Sequence, residues 1–357
     1  MTLWHTAQIS CPASQAMLDI FFSRKGEIYP ENEKWKNSKI ASEGIEVWTY
    51  KVRKSDFRGT LIYAKINFMK LLKAQNRVLV ASERHNSACF AVFTELMQSY
   101  FPELPSDINE WTANRVDYCI NAPTRYFNEY SVLANKSLSR LRTHEKCAKG
   151  QSYYYGNQSY TINIYNKASN VLDDLRARQD MNPVEKGHYL NDSWGILRIE
   201  VQCFPRKLTQ IKGKRGLENK TLGELLKDAI AMEILEWVLL HTVGMATYWR
   251  RSVAIEKIKR LEFRADKKAR LIQMVKDIAN AKSMEAVQKR YEKEGIMAKQ
   301  TFDCYCKDLE AANINPVTIP DSWELSGGHV DSIPSIYDLY LSALQDEFGN
   351  NNSDADV

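Results

Sequence analysis

The sequence predicts an α+β protein: an antiparallel sheet with helices on one face, followed by a mostly helical C-terminal domain. In the first 215 residues, segments with apolar residues at alternate positions are interleaved with segments of helical spacing. From Thr221 to about Asn313, nearly every segment has helical spacing, and breakers are few. Strands joined by hairpins and single helices favour an antiparallel sheet with one covered side, which leaves the other side available.

The elements of the first part follow from local patterns. Two alternating segments flank the polar residues KSDFR, and a segment with helical spacing stops before Pro102. The run QSYYYGNQSYTINIYNK predicts a hairpin that turns at Gly156 and Asn157. In chain order we predict strands at 46–52 and 59–68, a helix at 84–101, a strand at 114–121, a helix at 128–142, the hairpin, and a strand at 195–204.

The change of pattern after Pro205 divides the chain. We predict an α+β domain over residues 1–215, a helical domain over 216–348, and a disordered acidic tail over 349–357, which reads GNNNSDADV. A chain of 357 residues can bury one large core or two smaller ones, so its length allows this division.

The composition is that of an ordinary globular protein, with 44% apolar and 26% charged residues. No run approaches the roughly 20 apolar residues that cross a bilayer, so we expect no membrane contact. The N-terminus lacks a basic segment followed by an apolar core, which argues against a secretory signal. The seven cysteines form no CxxC pair and no zinc spacing with histidine, which favours free thiols in a reducing cytoplasm.

Positive charge is concentrated in two places. Residues 250–270 contain nine Lys or Arg and three acidic residues, and residues 212–215 read KGKR. The formal net charge of +5 is weak evidence for a polyanionic partner, but these clusters could track a phosphate backbone. The alternative is that they are solvated helix faces.

Three predicted strands carry chemistry on the same kind of face. Successive side chains of a strand point to opposite faces, so parity separates Arg115 and Asp117 from the apolar Val116. The same reasoning separates Arg198, Glu200 and Gln202 from Leu197, Ile199 and Val201, and Tyr165 and Lys167 from Ile162 and Ile164. If these strands are neighbours in one sheet, two carboxylates, a phenol, an ammonium and two guanidinium groups converge.

Such a set suits phosphodiester chemistry. Carboxylate oxygens bind Mg²⁺ or Mn²⁺, often with only one or two protein ligands, and a bound cation polarises the scissile phosphodiester. A tyrosine can then attack phosphorus and store the bond as a phosphotyrosine ester. The alternative is that R-x-D and R-x-E, on adjacent strands, form cross-strand ion pairs on a solvated sheet face.

The ordered trio RVD at 115–117, YNK at 165–167 and RIE at 198–200 resembles rolling-circle replication initiators of the filamentous-phage gene II/X type. It is also similar to plasmid Rep_trans initiators and related conjugative relaxases. The segments LRIEVQCFPRKLTQI and AKQTFDCYCKDLEAANINPVTIP extend the resemblance, which covers about Thr112 to Ser322.

The resemblance implies a Rep/relaxase-like catalytic fold in residues 1–215 and a DNA-binding role for residues 216–348. It implies a site-specific nickase that cuts one strand of a replication origin, stays attached to the 5′ phosphate and later rejoins the strand. Tyr165 would be the nucleophile, Lys167 its basic partner, and Asp117 and Glu200 the ligands of Mg²⁺ or Mn²⁺. Arg115 and Arg198 would hold phosphates.

The implied setting is the cytoplasm of a bacterial host. The partners would be double-stranded origin DNA, the nicked single strand, and a host helicase and polymerase. Two other functions stay open: a non-catalytic origin-binding initiator that keeps the basic helices without using Tyr165, and a mobilisation relaxase with the same chemistry.

Two departures from related patterns matter. Related sequences often carry a glutamate three residues after the lysine, where this chain has Asn170, so a third acidic ligand is in doubt. No two histidines are separated by a single apolar residue, which argues against imidazole ligation of a metal.

Further DNA contacts are predicted from aromatic and basic residues. Tyr153 and Tyr155 could stack unpaired bases, and Tyr153, Tyr155 or Tyr160 could act as a second nucleophile; the alternative is core packing. Residues 283–314 predict a helix-turn-helix with Gly295 in the turn, and the alternative is an ordinary helical hairpin that packs Phe302 and Leu309. Phosphate or base contacts are assigned to Arg206, Lys207, Lys212, Lys214, Arg215, Lys299, Gln300 and Thr301.

Overall fold

The protein is an α+β protein, as the sequence predicts. The computed structural model describes residues 3–24, 26–31, 34–37, 39–50, 60–74, 78–137, 145–147, 152–177, 182–326 and 328–350. Among these residues, no helix combines the length and apolar character that a membrane span requires.

Most strands lie in the first two thirds of the chain. They are β1 (Trp4–Pro12), β2 (Ile28–Glu31), β3 (Lys34–Asn37), β4 (Ile45–Tyr50), β5 (Leu61–Asn67), β6 (Thr112–Pro123), β7 (Glu145–Cys147), β8 (Ser152–Gly156), β9 (Tyr160–Asn166), β10 (Ile196–Cys203), β11 (Tyr248–Trp249) and β12 (Ser332–Ile333).

Helices separate the strands and dominate the C-terminal part. They are α1 (Gln15–Ser23), α2 (Phe68–Leu71), α3 (Asn86–Tyr100), α4 (Phe127–Lys136), α5 (Lys167–Ala177), α6 (Pro183–Ser193), α7 (Pro205–Arg215), α8 (Leu222–Leu225), α9 (Asp228–Thr242), α10 (Arg251–Arg260), α11 (Ala265–Asn280), α12 (Met284–Lys293), α13 (Lys299–Ala311) and α14 (Ile336–Asn350).

The chain forms two compact units that do not follow chain order. Unit 1 comprises Met1–Ile120, Gln158–Thr161 and Glu200–Ile234, and unit 2 comprises Asn121–Asn157, Ile162–Ile199 and Leu235–Val357. Strands β6, β9 and β10 therefore contribute residues to both units. The domain boundary at residues 215 and 216 remains a prediction.

The sheet of unit 1 runs in the order β2-β3-β4-β5-β1-β6-β10. The pairings from β2 through β6 are antiparallel. In β5, Ile62, Ala64 and Ile66 are fully buried, whereas Tyr63 and Lys65 between them are only half-buried. This alternation separates an apolar core face from a polar face, as expected for a sheet that is covered on one side.

Two predicted strands of unit 1 are confirmed, and one strand was missed. The strands predicted at 46–52 and 59–68 appear as the antiparallel pair β4 and β5, and the turn between them lies outside the described residues. Strand β1 was not predicted, although it lies between β5 and β6. Its buried Ala7, Ile9 and Cys11 alternate, which is the signal that could have identified it.

Unit 2 contains the antiparallel pair β7 and β8, together with β9 and most of the helices. The helix predicted at 128–142 is α4, which ends at Lys136, and residues 138–142 lie outside the described residues. The predicted turn is shifted, because Gly156 still belongs to β8 and Asn157–Ser159 form the connection to β9. The short pair β11 and β12 was not predicted.

Helices α11, α12 and α13 share one core. Tyr291 of α12 donates a hydrogen bond to Asp277 of α11, with 2.6 Å between Oη and Oδ2. Its ring meets Phe302 of α13 edge-on, with 6.1 Å between the ring centroids. Gly295, in the connection from α12 to α13, has φ +67°, a conformation that glycine adopts without strain. The two helices and the turn that the sequence predicts here are confirmed.

The C-terminal tail differs from its prediction in its first residues. Helix α14 continues through Gly349 and ends at Asn350, so the predicted disordered tail over 349–357 begins inside a helix. Residues 351–357 lie outside the described part of the chain.

Candidate functional site

Unit 1 brings two predicted metal ligands into electrostatic contact. Asp117 lies on β6 and Glu200 on β10, and these strands are neighbours in the sheet. Both carboxylates are buried, with 2% of Asp117 and 7% of Glu200 exposed. A buried pair of like charges is costly unless other groups compensate for it, so this pair is the strongest candidate site in unit 1.

Polar neighbours hold both carboxylates in place. Arg115 forms a two-pronged ion pair with Asp117: Nε lies 2.6 Å from Oδ1, and Nη2 lies 2.7 Å from Oδ2. The two residues therefore share a side of β6, as parity predicts. Gln202 donates a hydrogen bond of 2.7 Å from Nε2 to Oε1 of Glu200. This ion pair lies within one strand and Asp117 is buried, so it differs from the cross-strand pair on a solvated face that the alternative predicts. A phosphate contact by Arg115 remains a prediction.

The environment of Asp117 favours its neutral form. Burial, followed by the negative charge of Glu200, raises the pKa of Asp117 to about 7. Arg115 and, more weakly, Lys65 act in the opposite direction. A buried carboxyl group with a raised pKa beside a second carboxylate is a candidate for a functional site.

This donor set fits a divalent cation. Mg²⁺ and Mn²⁺ prefer oxygen ligands, and Mg²⁺ is often held by one or two carboxylates while water and substrate phosphates complete its shell. Arg115 occupies one acceptor site on each Asp117 oxygen, and a carboxylate offers about four such sites in total. Within the described ranges, no group of three or more His, Cys, Asp or Glu residues could hold a metal, so the candidate is a two-carboxylate site.

The raised pKa of Asp117 predicts a pH-dependent stability without metal. The folded protein binds this proton more tightly than the unfolded chain, whose carboxyl titrates near 3.8. Stability from this group is therefore complete below about pH 4 and falls by up to about 1.4 kcal/mol per pH unit until about pH 7. Urea unfolding in EDTA at pH 5 and pH 8 should show a larger loss for the wild type than for Asp117→Asn. Equal losses would contradict the assignment.

Tyr165 and Lys167 both lie in unit 2, but not on one strand. Tyr165 is a half-buried residue of β9, whereas that strand ends at Asn166 and Lys167 is the first residue of α5. The prediction that both residues extend from the same face of a strand is therefore wrong. The physical reason is Asn166, whose Oδ1 accepts a hydrogen bond of 3.0 Å from the backbone N–H of Ala168 and so caps the helix.

Lys167 is buried, with only 4% of the residue exposed. Its ammonium Nζ lies 3.3 Å from Oδ1 of Asn170. The amide oxygen of Asn170 accepts this hydrogen bond without adding a negative charge. The role of Lys167 as basic partner of a phenol remains a prediction.

Arg198 is completely buried in unit 2, although its parity predicts a polar face. Its Nε donates a hydrogen bond of 2.8 Å to Oδ1 of Asn121. A guanidinium group with no exposed surface would have to become accessible before it could contact DNA. Its assignment to phosphate binding remains a prediction.

The solvent exposure of the tyrosines on β8 and β9 differs from the prediction that Tyr155 is available to stack on bases. Tyr155 is buried and Tyr154 is exposed, so Tyr154 offers the accessible ring, while the side chain of Tyr153 lies outside the described part. Tyr160 is also buried, and Nζ of Lys207 lies 5.7 Å from the centroid of its ring. Core packing, the alternative interpretation, describes Tyr155 and Tyr160.

The predicted phosphate and base contacts at 206–215 and 299–301 lie on helices α7 and α13. On α7 of unit 1, Lys214 and Arg215 form ion pairs with Glu233, and burial lowers the pKa of Lys207. Arg206 is exposed and Lys212 half-buried on the same helix. On α13 of unit 2, Lys299 and Gln300 are exposed and Thr301 is half-buried.

Three residues near the candidate sites were not assigned a role from the sequence: Gln202, which contacts Glu200; Lys65, which acts on Asp117; and Asn166, which caps α5. Parity placed Gln202 on the polar side of its strand. The role of Lys65 depends on the unpredicted strand β1, which separates β5 from β6.

No protein-family model matches the chain, and a search of curated proteins finds no match.

Proposed function

We propose that this protein initiates rolling-circle replication by nicking one strand of an origin through metal-dependent tyrosine transesterification. The observation that carries the proposal is the buried carboxylate pair of unit 1, in which the charge of Glu200 helps to raise the pKa of Asp117 to about 7. A divalent cation would take the two carboxylates as oxygen ligands, and phosphodiester transfer is chemistry that such cations promote.

The chemical step is a transesterification. Tyr165 gives up its phenolic proton as its oxygen bonds to phosphorus and the P–O3′ bond breaks. The leaving 3′ oxygen takes up a proton, so the number of protons is unchanged overall. Attack by a free 3′ hydroxyl reverses the step, restores the P–O3′ bond and releases Tyr165, so rejoining needs no nucleotide cofactor. The support for Tyr165 is its place in the YNK motif of the ordered trio.

The carboxylates would hold the cation and its phosphate ligand. Asp117 and Glu200 offer hard oxygen donors, and Arg115 orients Asp117 through its paired hydrogen bonds. When bound, Mg²⁺ or Mn²⁺ would polarise the scissile phosphodiester and stabilise the charge that develops during transfer. Gln202 keeps one oxygen of Glu200 in a defined direction.

Duplex recognition is proposed for helices α12 and α13 of unit 2. The support for the proposal is the exposed Lys299 and Gln300 in the first turn of α13, where a recognition helix presents side chains to base edges. Exposed basic residues of 250–270, such as Arg260 and Arg270, would add contacts to the phosphate backbone. Arg250 is buried and donates hydrogen bonds to backbone carbonyls, so it is not among them.

The test is an assay on supercoiled plasmid that carries the origin of the protein's own replicon. With Mg²⁺ or Mn²⁺ we expect open-circular product and a protein–DNA adduct that survives denaturation, and neither in EDTA. A plasmid without the origin is the control. Tight binding to the origin without any nicking would favour the non-catalytic initiator instead.

A further inference from the structure

Aromatic and basic side chains alternate along the polar face of the unit 1 sheet. The register pairs Tyr29 of β2 with Lys36 of β3, Lys36 with Trp48 of β4, and Trp48 with Tyr63 of β5. Directly paired residues of antiparallel strands point to the same face, so these four side chains form one row across the sheet. The next row contains Lys34, paired with Tyr50. We call these six residues the aromatic–lysine face.

The aromatic rings of this face pack against one another. Trp48 and Tyr63 are stacked, with 5.5 Å between the ring centroids and 11° between the planes. Tyr50 meets Tyr63 edge-on at 5.5 Å, and the ammonium of Lys34 lies 4.9 Å from the centroid of Trp48. Packing of this kind holds flat surfaces in fixed directions, which lowers the entropic cost of stacking a ligand on them.

The face is accessible at its rings. Tyr29 is 41% exposed and Tyr50 is 45% exposed, while Trp48 is buried beneath its neighbours. The indole N–H of Trp48 has no hydrogen-bond partner among the described residues. Single exposed rings are common, but a contiguous group of them on one sheet face is typical of an interaction site.

Cations lie between the rings. Lys36 contacts Glu31 at 2.6 Å and Glu46 at 3.6 Å, and Glu46 also contacts Lys65 at 3.3 Å. Within the described ranges, Lys34 makes ring contacts but no ion pair. Glu46 thus bridges two lysines and keeps them beside the rings, where a phosphate could compete for them.

We propose that the aromatic–lysine face binds single-stranded nucleic acid. Unpaired bases expose the flat surfaces that stack on tyrosine, and their phosphates match the ammonium groups. A duplex hides its bases, so it could use only the lysines. Four strands span about 14 Å, enough for two or three nucleotides.

The face is continuous with the carboxylate strand of the same unit. The pairings Glu46 to Lys65, Lys65 to Gln8, and Gln8 to Arg115 form a polar row from β4 to β6. A strand bound to the face could therefore extend towards Asp117. The binding inference does not depend on nicking, because the rings and lysines would act without cleavage.

The test measures binding of the full chain to fluorescent dT20, U20 and a 20-base-pair duplex in EDTA, where metal-dependent cleavage cannot occur. The double variant Tyr50→Ala/Tyr63→Ala should bind dT20 or U20 at least about tenfold more weakly, since each stacked base contributes substantially. The variant Tyr50→Phe/Tyr63→Phe keeps the rings and should bind as the wild type does. The tighter of dT20 and U20 identifies DNA or RNA as the ligand.

Charge variants provide a matched comparison. Lys65 borders the face, two residues after Tyr63 on β5 and paired with Glu46. Lys65→Gln should weaken binding to the single strand and reduce the salt dependence by about 0.7 in log–log slope. The control is Lys227→Gln, since Lys227 is similarly exposed (47% against 42%) and is also paired with a glutamate of unit 1, but lies away from the face. Glu46→Gln should tighten binding severalfold, because it releases two lysines.

A crosslink locates the bound strand directly. Irradiation of bound oligonucleotide that contains 5-iododeoxyuridine or 4-thiouridine should label peptides with Tyr29, Tyr50 or Tyr63. Affinity that is equal in the Ala and Phe double variants, with both variants folded by thermal unfolding, overturns the proposal. Crosslinks confined to peptides outside β2–β5 overturn it as well.

Discussion

Tyr165→Phe is expected to bind origin DNA as the wild type does and to leave supercoiled DNA uncut. The substitution removes one oxygen from a half-buried residue of β9 and keeps its ring, so the fold should be unaffected. Without that oxygen no phosphotyrosine ester can form. Because loss of a catalytic nucleophile commonly costs several orders of magnitude, we expect at least a thousandfold loss of nicking and no covalent adduct.

The matched control for this prediction is Tyr160→Phe. Tyr160 lies on the same strand but is buried, with Lys207 over its ring. We expect this variant to nick and to form the adduct. Nicking that survives Tyr165→Phe but is lost in Tyr160→Phe would assign the nucleophile to Tyr160 and sink the role proposed for Tyr165. Nicking by both single variants would direct the search to Tyr153 and Tyr155.

Glu200→Gln is expected to lose metal-dependent cleavage by about 10²- to 10³-fold, the size of effect seen when one preorganised electrostatic group is removed. The amide is isosteric with the carboxylate and can still accept the hydrogen bond from Gln202, so the strand should keep its structure. Its loss of charge leaves Asp117 as the only carboxylate of the pair. Stabilisation of the fold by Mn²⁺ should therefore shrink, which thermal unfolding with and without the ion measures.

The same variant has a second readout that needs no DNA. The charge of Glu200 is one cause of the raised pKa of Asp117, so its removal should move that pKa below 7. The pH-dependent loss of stability should then occur at lower pH, with the ion removed by EDTA. Glu43→Gln is the control, since Glu43 pairs with Lys73 elsewhere in unit 1. An unchanged pH profile in Glu200→Gln would show that the two carboxylates do not interact.

Local patterns were sufficient for much of the fold. Helical spacing predicted a largely helical stretch from Thr221 to about Asn313, including α12, α13 and the glycine turn between them. Alternation identified β4, β5, β6 and β10, and parity placed Arg115 and Asp117 on one side of β6, where they form an ion pair. These predictions succeeded because the periods of helix and strand are properties of the backbone, which every residue shares.

Other features depend on contacts between residues that are distant in the chain. The central strand β1 joins two parts of the sheet of unit 1 more than 40 residues apart, and no local pattern specifies its partners. The capping hydrogen bond of Asn166 ends β9 before Lys167, which overrides the alternation that the sequence suggests. Burial of Arg198 and exposure of Tyr154 likewise reflect what packs on each face.

The same distinction between sequence and tertiary structure applies to the candidate functional residues. Residue types and their spacing indicated carboxylates, a phenol and a lysine, since these are properties of the covalent chain. The pKa of Asp117 and the alignment of Tyr29, Lys36, Trp48 and Tyr63 arise only in the folded sheet. The desolvation of Asp117 and the register between strands depend on which segments of the chain pack together. That packing is determined by the tertiary structure of the whole unit.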